Sequence, residues 1–164
     1  MTDTATTADS AASVLPSLQT GHVGLNVTDL DRSTAFYRRL LGLELTSEGT
    51  APGRRFAMLG RDGRLVLTLW QQSEGAFDPA RPGLHHLSFQ VDSPAEVRAA
   101  EQVLRGLGAE FAHDGVVPHR EGSASGGIFF TDPDGIRLEI YTPSGLDGTE
   151  AKAPAGEAPT CGFF

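Results

Sequence analysis

Cysteine, lysine and long apolar runs are what this chain has least of. Cys161 is its only cysteine and stands almost at the C-terminus, so neither an intrachain disulfide framework nor a cysteine-based zinc site can form. Lys152 is its only lysine, and the remaining basic residues are arginines. Lys and Arg total 13 against 21 Asp and Glu, a formal charge of −8. That balance argues against a nucleic-acid backbone or an anionic membrane surface as partner, since both demand clustered positive charge. A small molecule is the expected partner. No apolar run approaches a membrane span, and the opening MTDTATTADSAASVLPS has neither the basic start nor the apolar core of a secretory signal. A reducing cytoplasm is the expected location.

What the chain does have is a hairpin near its end, GGIFFTDPDGIRLEIY, from Gly126 to Tyr141. Pro133 presets the turn and Gly135 supplies the positive φ that closes it. In the second strand Ile136, Leu138 and Ile140 share one face, and Arg137, Glu139 and Tyr141 share the other, because side chains alternate along a strand. A carboxylate at Glu139 is solvated or functional, and the rest of the chain bears on which.

A pattern occurs twice. Residues 21–29, GHVGLNVTD, place Val23, Leu25 and Val27 on one face and His22, Gly24 and Asn26 on the other. A helix is predicted from about Leu30 to Leu41, capped by Asp29 or Asp31 and closed by Gly42, followed by strands near Leu43–Thr46, Arg55–Leu59 and Arg64–Trp70. From Leu84 the order returns. Leu87, Phe89 and Val91 oppose His86, Ser88 and Gln90, and Ser93-Pro94-Ala95-Glu96 is a capping box that opens a helix with Val97, Ala100, Leu104 and Leu107 in one stripe. Strands near Glu110–Ala112, Gly127–Thr131 and Arg137–Tyr141 complete the second copy. His22 lies seven residues before Asp29 and His86 seven before Ser93, so both histidines hold the same place in the repeat, and His85 is out of phase.

The predicted architecture is α+β, with two tandem βαβββ modules, at about 19–70 and 84–143, pairing into an eight-stranded half-open barrel. Residues 71–83 are the linker; 1–18 and 144–164 read as mobile tails. Phe163-Phe164 is unusual in a tail, since adjacent phenylalanines either dock on the body or a partner chain or remain disordered.

Two histidines and a carboxylate on neighbouring strand faces suit a facial metal site that leaves positions open, although the same residues also serve as ordinary hydrogen-bonding and solvated groups. The segments GHVGLNVTDLDRSTAFYRRLLGLEL, GLHHLSFQVDS and GGIFFTDPDGIRLEIY resemble the vicinal oxygen chelate superfamily, which includes glyoxalase I, bleomycin-resistance and fosfomycin-resistance proteins, methylmalonyl-CoA epimerase and extradiol dioxygenases. The resemblance covers roughly residues 20–143 and implies His22, His86 and Glu139 as ligands of a divalent ion, iron(II) first, with Zn(2+), Mn(2+) or Ni(2+) as alternatives.

The repeat also locates the fourth ligand position of glyoxalase I: Leu67 lies four residues after Gly63, as Glu139 does after Gly135, and one residue of slippage gives Val66 or Thr68, neither of them a substitute ligand. Leucine there turns the expectation from isomerase toward dioxygenase-like chemistry on a substrate with vicinal oxygens. His119 is the acid/base candidate, and Asn26, Ser88, Gln90, Arg137 and Tyr141 are the expected pocket residues from strand phase. Gly122–Gly127 is either a lid or a plain loop, and His113 is read as structural. A homodimer is the expected assembly. The competing expectations are a metal-free antibiotic-binding protein and a glyoxalase-type lyase or isomerase.

Overall fold

The computed structural model describes residues 14–148, 152–154 and 163. The tail expected at 1–18 therefore lies mostly outside the described residues, as do Cys161 and Phe164.

The first module runs β1 (Val23–Asn26), α1 (Leu30–Leu41), β2 (Glu44–Gly49), β3 (Phe56–Arg61) and β4 (Arg64–Trp70). The second repeats it as β5 (Leu87–Gln90), α2 (Pro94–Gly106), β6 (Val117–Pro118), β7 (Gly126–Thr131) and β8 (Arg137–Thr142). Each module forms a four-stranded sheet, ordered β1-β4-β3-β2 and β5-β8-β7-β6, with the first and last strands parallel. The helix starts follow from their caps. Asp29 accepts the Arg32 amide ahead of α1, and Ser93 accepts that of Glu96 ahead of α2, each satisfying a backbone donor that the helix leaves open. Gly42, at φ 63°, ends α1 in the left-handed conformation that glycine adopts without steric cost.

The third strand of the second module departs from expectation. The segment predicted near Glu110–Ala112 makes a single bridge, Phe111 to Phe130, and the edge strand proper is the two-residue β6. Pro118 has no amide hydrogen to extend a ladder, which keeps this edge short.

One core joins both modules. Leu25, Val27, Phe36, Leu59, Leu67 and Leu69 pack with Val97, Leu104, Ile128, Phe130, Leu138 and Ile140. Polar contacts cross the same seam: Thr28 and Arg32 reach Asp134, and the buried Tyr37 hydroxyl donates to Asp132 Oδ2 at 2.8 Å. Asp132 Oδ1 accepts the Asp134 and Ile136 amides, so one carboxylate closes the β7–β8 turn and holds it to α1. Burial is the main cause that lifts the Tyr37 hydroxyl and the Asp132 carboxyl above their ordinary values. No helix among the described residues is long and apolar enough to cross a membrane.

Replacing Tyr37 with Phe leaves Asp132 Oδ2 without its buried donor. The expected cost is about 1–3 kcal/mol, read in a thermal melt as a midpoint lower by roughly 2–4 °C per kcal/mol. An unchanged melt would show that this contact does not hold the modules together.

Candidate metal centre

β8 alternates as its sequence requires. Leu138 and Ile140 enter the core, while Arg137, Glu139 and Tyr141 stand on the opposite, open face of the sheet. Register brings Ser88 of β5 and Phe129 of β7 beside Glu139. Phe129 is fully buried yet lies outside the core cluster. It is covered by rings on the open face, with His113 at 6.1 Å, His119 at 6.2 Å and Phe163 at 5.8 Å between centroids. Gly127 makes room for Tyr141 opposite it, since a Cβ there would fall 2.8 Å from the Tyr141 backbone.

Glu139 is the centre of this face, only 5% exposed, and its two oxygens have different neighbours. His86 Nε2 faces Oε2 at 3.5 Å, and His119 Nε2 lies 2.6 Å from Oε1. An ionised carboxylate only accepts, so His119 donates from Nε2, and its Nδ1, 2.9 Å from Ser125 Oγ, accepts from that hydroxyl. Ser123 Oγ is a further 3.0 Å from Ser125 Oγ. Beyond His86, its Nδ1 stands 2.8 Å from His85 Nδ1. A proton on His86 Nδ1 directed to His85 leaves the Nε2 lone pair bare on the Glu139 side, the tautomer a metal ligand needs.

Burial holds the His86 imidazole below its ordinary value, with Glu139 opposing the shift and His85 and Arg137 reinforcing it. His86 is therefore a neutral donor at pH 7. A neutral imidazole nitrogen and a carboxylate oxygen 3.5 Å apart fit two neighbouring donors on one divalent ion, for which bonds of about 2.0–2.2 Å are usual.

The structure thus gathers His86, Glu139, His119 and Tyr141 on one face, with Arg137 at its edge and Tyr141 donating to Gln90 at 2.8 Å. It does not gather His22 with them. His22 is exposed at the start of β1 and lines a cavity of about 520 Å³ with Arg61, Arg64 and Ser88. Asn26, also exposed, lines a separate cavity of about 230 Å³ with Phe77 and Asp134. Among the described residues no group of three or more His, Cys, Asp or Glu side chains has metal-holding geometry.

A larger cavity, about 740 Å³, lies between α1, the end of α2 and the β7–β8 turn. Its buried carboxylate, Asp132, is already committed to Tyr37 and two backbone amides, so it offers no comparable donor set.

The fourth position also changes. Gly24 pairs with Thr68 as Ser88 pairs with Glu139, so Thr68, and not Leu67, is the counterpart of Glu139. The reason is a β-bulge: Gly60 pairs with Leu65 and Leu59 with Leu67, leaving Val66 as an extra residue that the second hairpin lacks. Thr68 Oγ1 accepts from Trp70 Nε1 at 3.0 Å, so a neutral hydroxyl stands where a carboxylate would complete four ligands. Sequence reasoning missed Ser125, which holds the ring of His119, and Phe129, which floors the face. Strand phase alone would have found Phe129, since Phe129 and Glu139 are symmetric about the turn.

A βαβββ pair whose second module carries facing histidine and carboxylate donors defines a class. The sequence pattern of the Glyoxalase/Bleomycin resistance protein/Dioxygenase superfamily matches residues 19–140, and the chain belongs to that superfamily. Among relatives, it is 33% identical to the protein YaeR of Escherichia coli (strain K12) over 128 residues, covering 75% of this chain and 95% of that one. It is 32% identical to a lactoylglutathione lyase of Haemophilus influenzae over 142 residues, covering 79% and 98%. A catechol-2,3-dioxygenase of Bacillus subtilis matches at 25% over 124 residues, 74% of this chain and 40% of that longer enzyme. In structure the chain is similar to a glyoxylase/bleomycin resistance protein/dioxygenase domain from Frankia sp. EAN1pec, with a TM-score of 0.64 and 30% identity over 76% of this chain and 97% of that one. The superfamily holds enzymes of more than one reaction type, dioxygenase and lyase among them.

The depressed His86 value carries a sign. A histidine held neutral by folding contributes stability above its unfolded value of 6.5, and loses it as pH falls through the lower folded value. An NMR titration of His86 in the metal-free chain should give a midpoint below 6.5, and Glu139→Gln should lower it further by removing the opposing carboxylate. A midpoint that rises in that variant would overturn the assignment of Glu139 as its neighbour.

Proposed function

We propose that the chain is a metal-dependent, dioxygenase-like enzyme in which His22, His86 and Glu139 hold a divalent ion, iron(II) first, that takes a small substrate through two adjacent oxygens. The observation that carries this reading is the approach of His86 Nε2 to Glu139 Oε2 at 3.5 Å on a face that keeps His86 neutral. One carboxylate and two neutral imidazoles leave a divalent ion with net positive charge, which favours a chelating oxyanion. The bound ion would supply Lewis-acid activation of those oxygens. His119 keeps Glu139 oriented by holding its proton at Nε2 against Oε1, and is the acid/base candidate of this face. Arg137 supplies positive charge at the rim, and the Tyr141–Gln90 pair frames the far side.

His22 comes, in this reading, from a second copy of the chain. Gly24, Asn26, Ser88 and Gln90 are exposed on the open faces of β1 and β5, which leaves those faces available to a dimer partner. A two-fold pairing would bring the first-module face of each copy to the second-module face of the other, forming two equivalent sites. A lyase of the glyoxalase type is the second reading. The Haemophilus influenzae lyase match over 98% of that enzyme favours it, and the neutral Thr68 at the fourth position counts against it.

Elemental analysis of protein purified without oxygen or a metal-affinity column should give about one iron per chain, lost on Glu139→Ala. His22→Ala and His86→Ala chains should each lack metal. Mixing and re-equilibrating them should restore it to about one quarter of the sites, because only the mixed dimer contains an intact pair. No recovery would place all three donors within one chain, and an apoprotein under every loading condition would remove the enzyme reading.

A further inference from the structure

The ring of Phe163 is seated on the open face of the second module. Its centroid is 6.1 Å from that of His86 and 5.8 Å from that of Phe129, which it meets edge-on at 89°. His85 is at 6.5 Å, and the Arg137 guanidinium lies over the Phe163 ring at 5.2 Å. Those contacts come from separate elements: the segment entering β5, the middle of β7 and the start of β8. Phe129 and Arg137 stand on strands, so that part of the seat is a property of the sheet. Its occupant belongs to the penultimate position of the chain, well beyond the end of β8 at Thr142.

The seat has the chemistry of an aromatic slot. Phe129 presents one wall, the tilted His86 ring a second, and a cation covers the face, the arrangement that a planar π-system prefers on electrostatic grounds. At its rim stand the two facing donor atoms of His86 and Glu139. Phe163 fills the ring position but carries no oxygens to offer there.

We propose that Phe163 is an intramolecular occupant of this aromatic slot, and that it competes with any planar ring that enters the His86–Glu139 face. This rests on the reading of the His86–Glu139 face as the substrate site and adds a device that regulates access to it. Competition of this kind weakens apparent affinity by the fraction of molecules whose slot is open. If the slot is open in about one molecule in ten, removing the ring tightens binding about tenfold. A covering strap that completes the pocket around the substrate would do the reverse.

The test is an absorbance titration with 4-nitrocatechol on the full-length Mn(II)-loaded chain, its Phe163→Ala variant and its Phe163→Trp variant, with Mn(II) affinity measured in each. The expected result is about tenfold tighter binding of 4-nitrocatechol by Phe163→Ala, native affinity within about twofold for Phe163→Trp, and equal Mn(II) affinity in all three. Equal or weaker binding by Phe163→Ala, with Mn(II) retained, overturns the competition while leaving the metal reading intact. If none of the three binds Mn(II), the metal reading falls, and the same comparison with 4-nitrophenol in the absence of metal decides the slot alone: a tenfold gain in Phe163→Ala supports it and no gain overturns it.

Discussion

Two backbone amides and a phenol from the other module converge on a single carboxylate, Asp132, and the placement of the site depends on that convergence. Its Oδ1 closes the turn by which β7 becomes β8, and its Oδ2 ties that turn to α1. Register in a hairpin is set by its turn, and a slip of one residue would send Glu139 into the core and Leu138 or Ile140 onto the open face. The chain spends a buried acid here, with the desolvation that raises its proton affinity, to fix where a second acid stands.

Duplication supplied two sheets of the same order, and the two copies have diverged in chemistry more than in shape. The second retains a carboxylate between two imidazoles, whereas the first shows a threonine hydroxyl engaged by Trp70 and a glycine where the second has serine. A one-residue bulge at Val66 is enough to account for the difference in phase, because strand faces alternate with every residue. Both copies leave the open face of their first strand exposed at Gly24 and Asn26, and at Ser88 and Gln90.

The helices, the order of strands and the phase of Glu139 were legible in the sequence, because caps, glycine turns and the two-residue period act over short distances. The bounds of α1 came out as read, and His86 rather than His85 faces Glu139, as the seven-residue spacing implied. Leu67 was misread because a bulge inserts a residue without any residue type that announces it. The strand at Glu110–Ala112 was misread because its alternation was too short to separate a bridge from a ladder. The grip of Ser125 on His119, and the seating of Phe163 near His86, are contacts between distant positions that no local pattern encodes. The separation of His22 from His86 is of the same kind, since the repeat dictates equivalence of position and says nothing about how two copies face each other.

The scarcity of reactive side chains gives the Phe163 seat a further consequence. Cys161 is the only thiol in the chain and stands two residues before the ring that rests near His86. A thiol-directed fluorophore would therefore attach at one position, two residues from Phe163 in the sequence, with no second label to confuse its signal. Quenching or anisotropy of that dye would follow the arrival and departure of the C-terminus in real time, so a chain poor in cysteine comes with a reporter address for its own pocket.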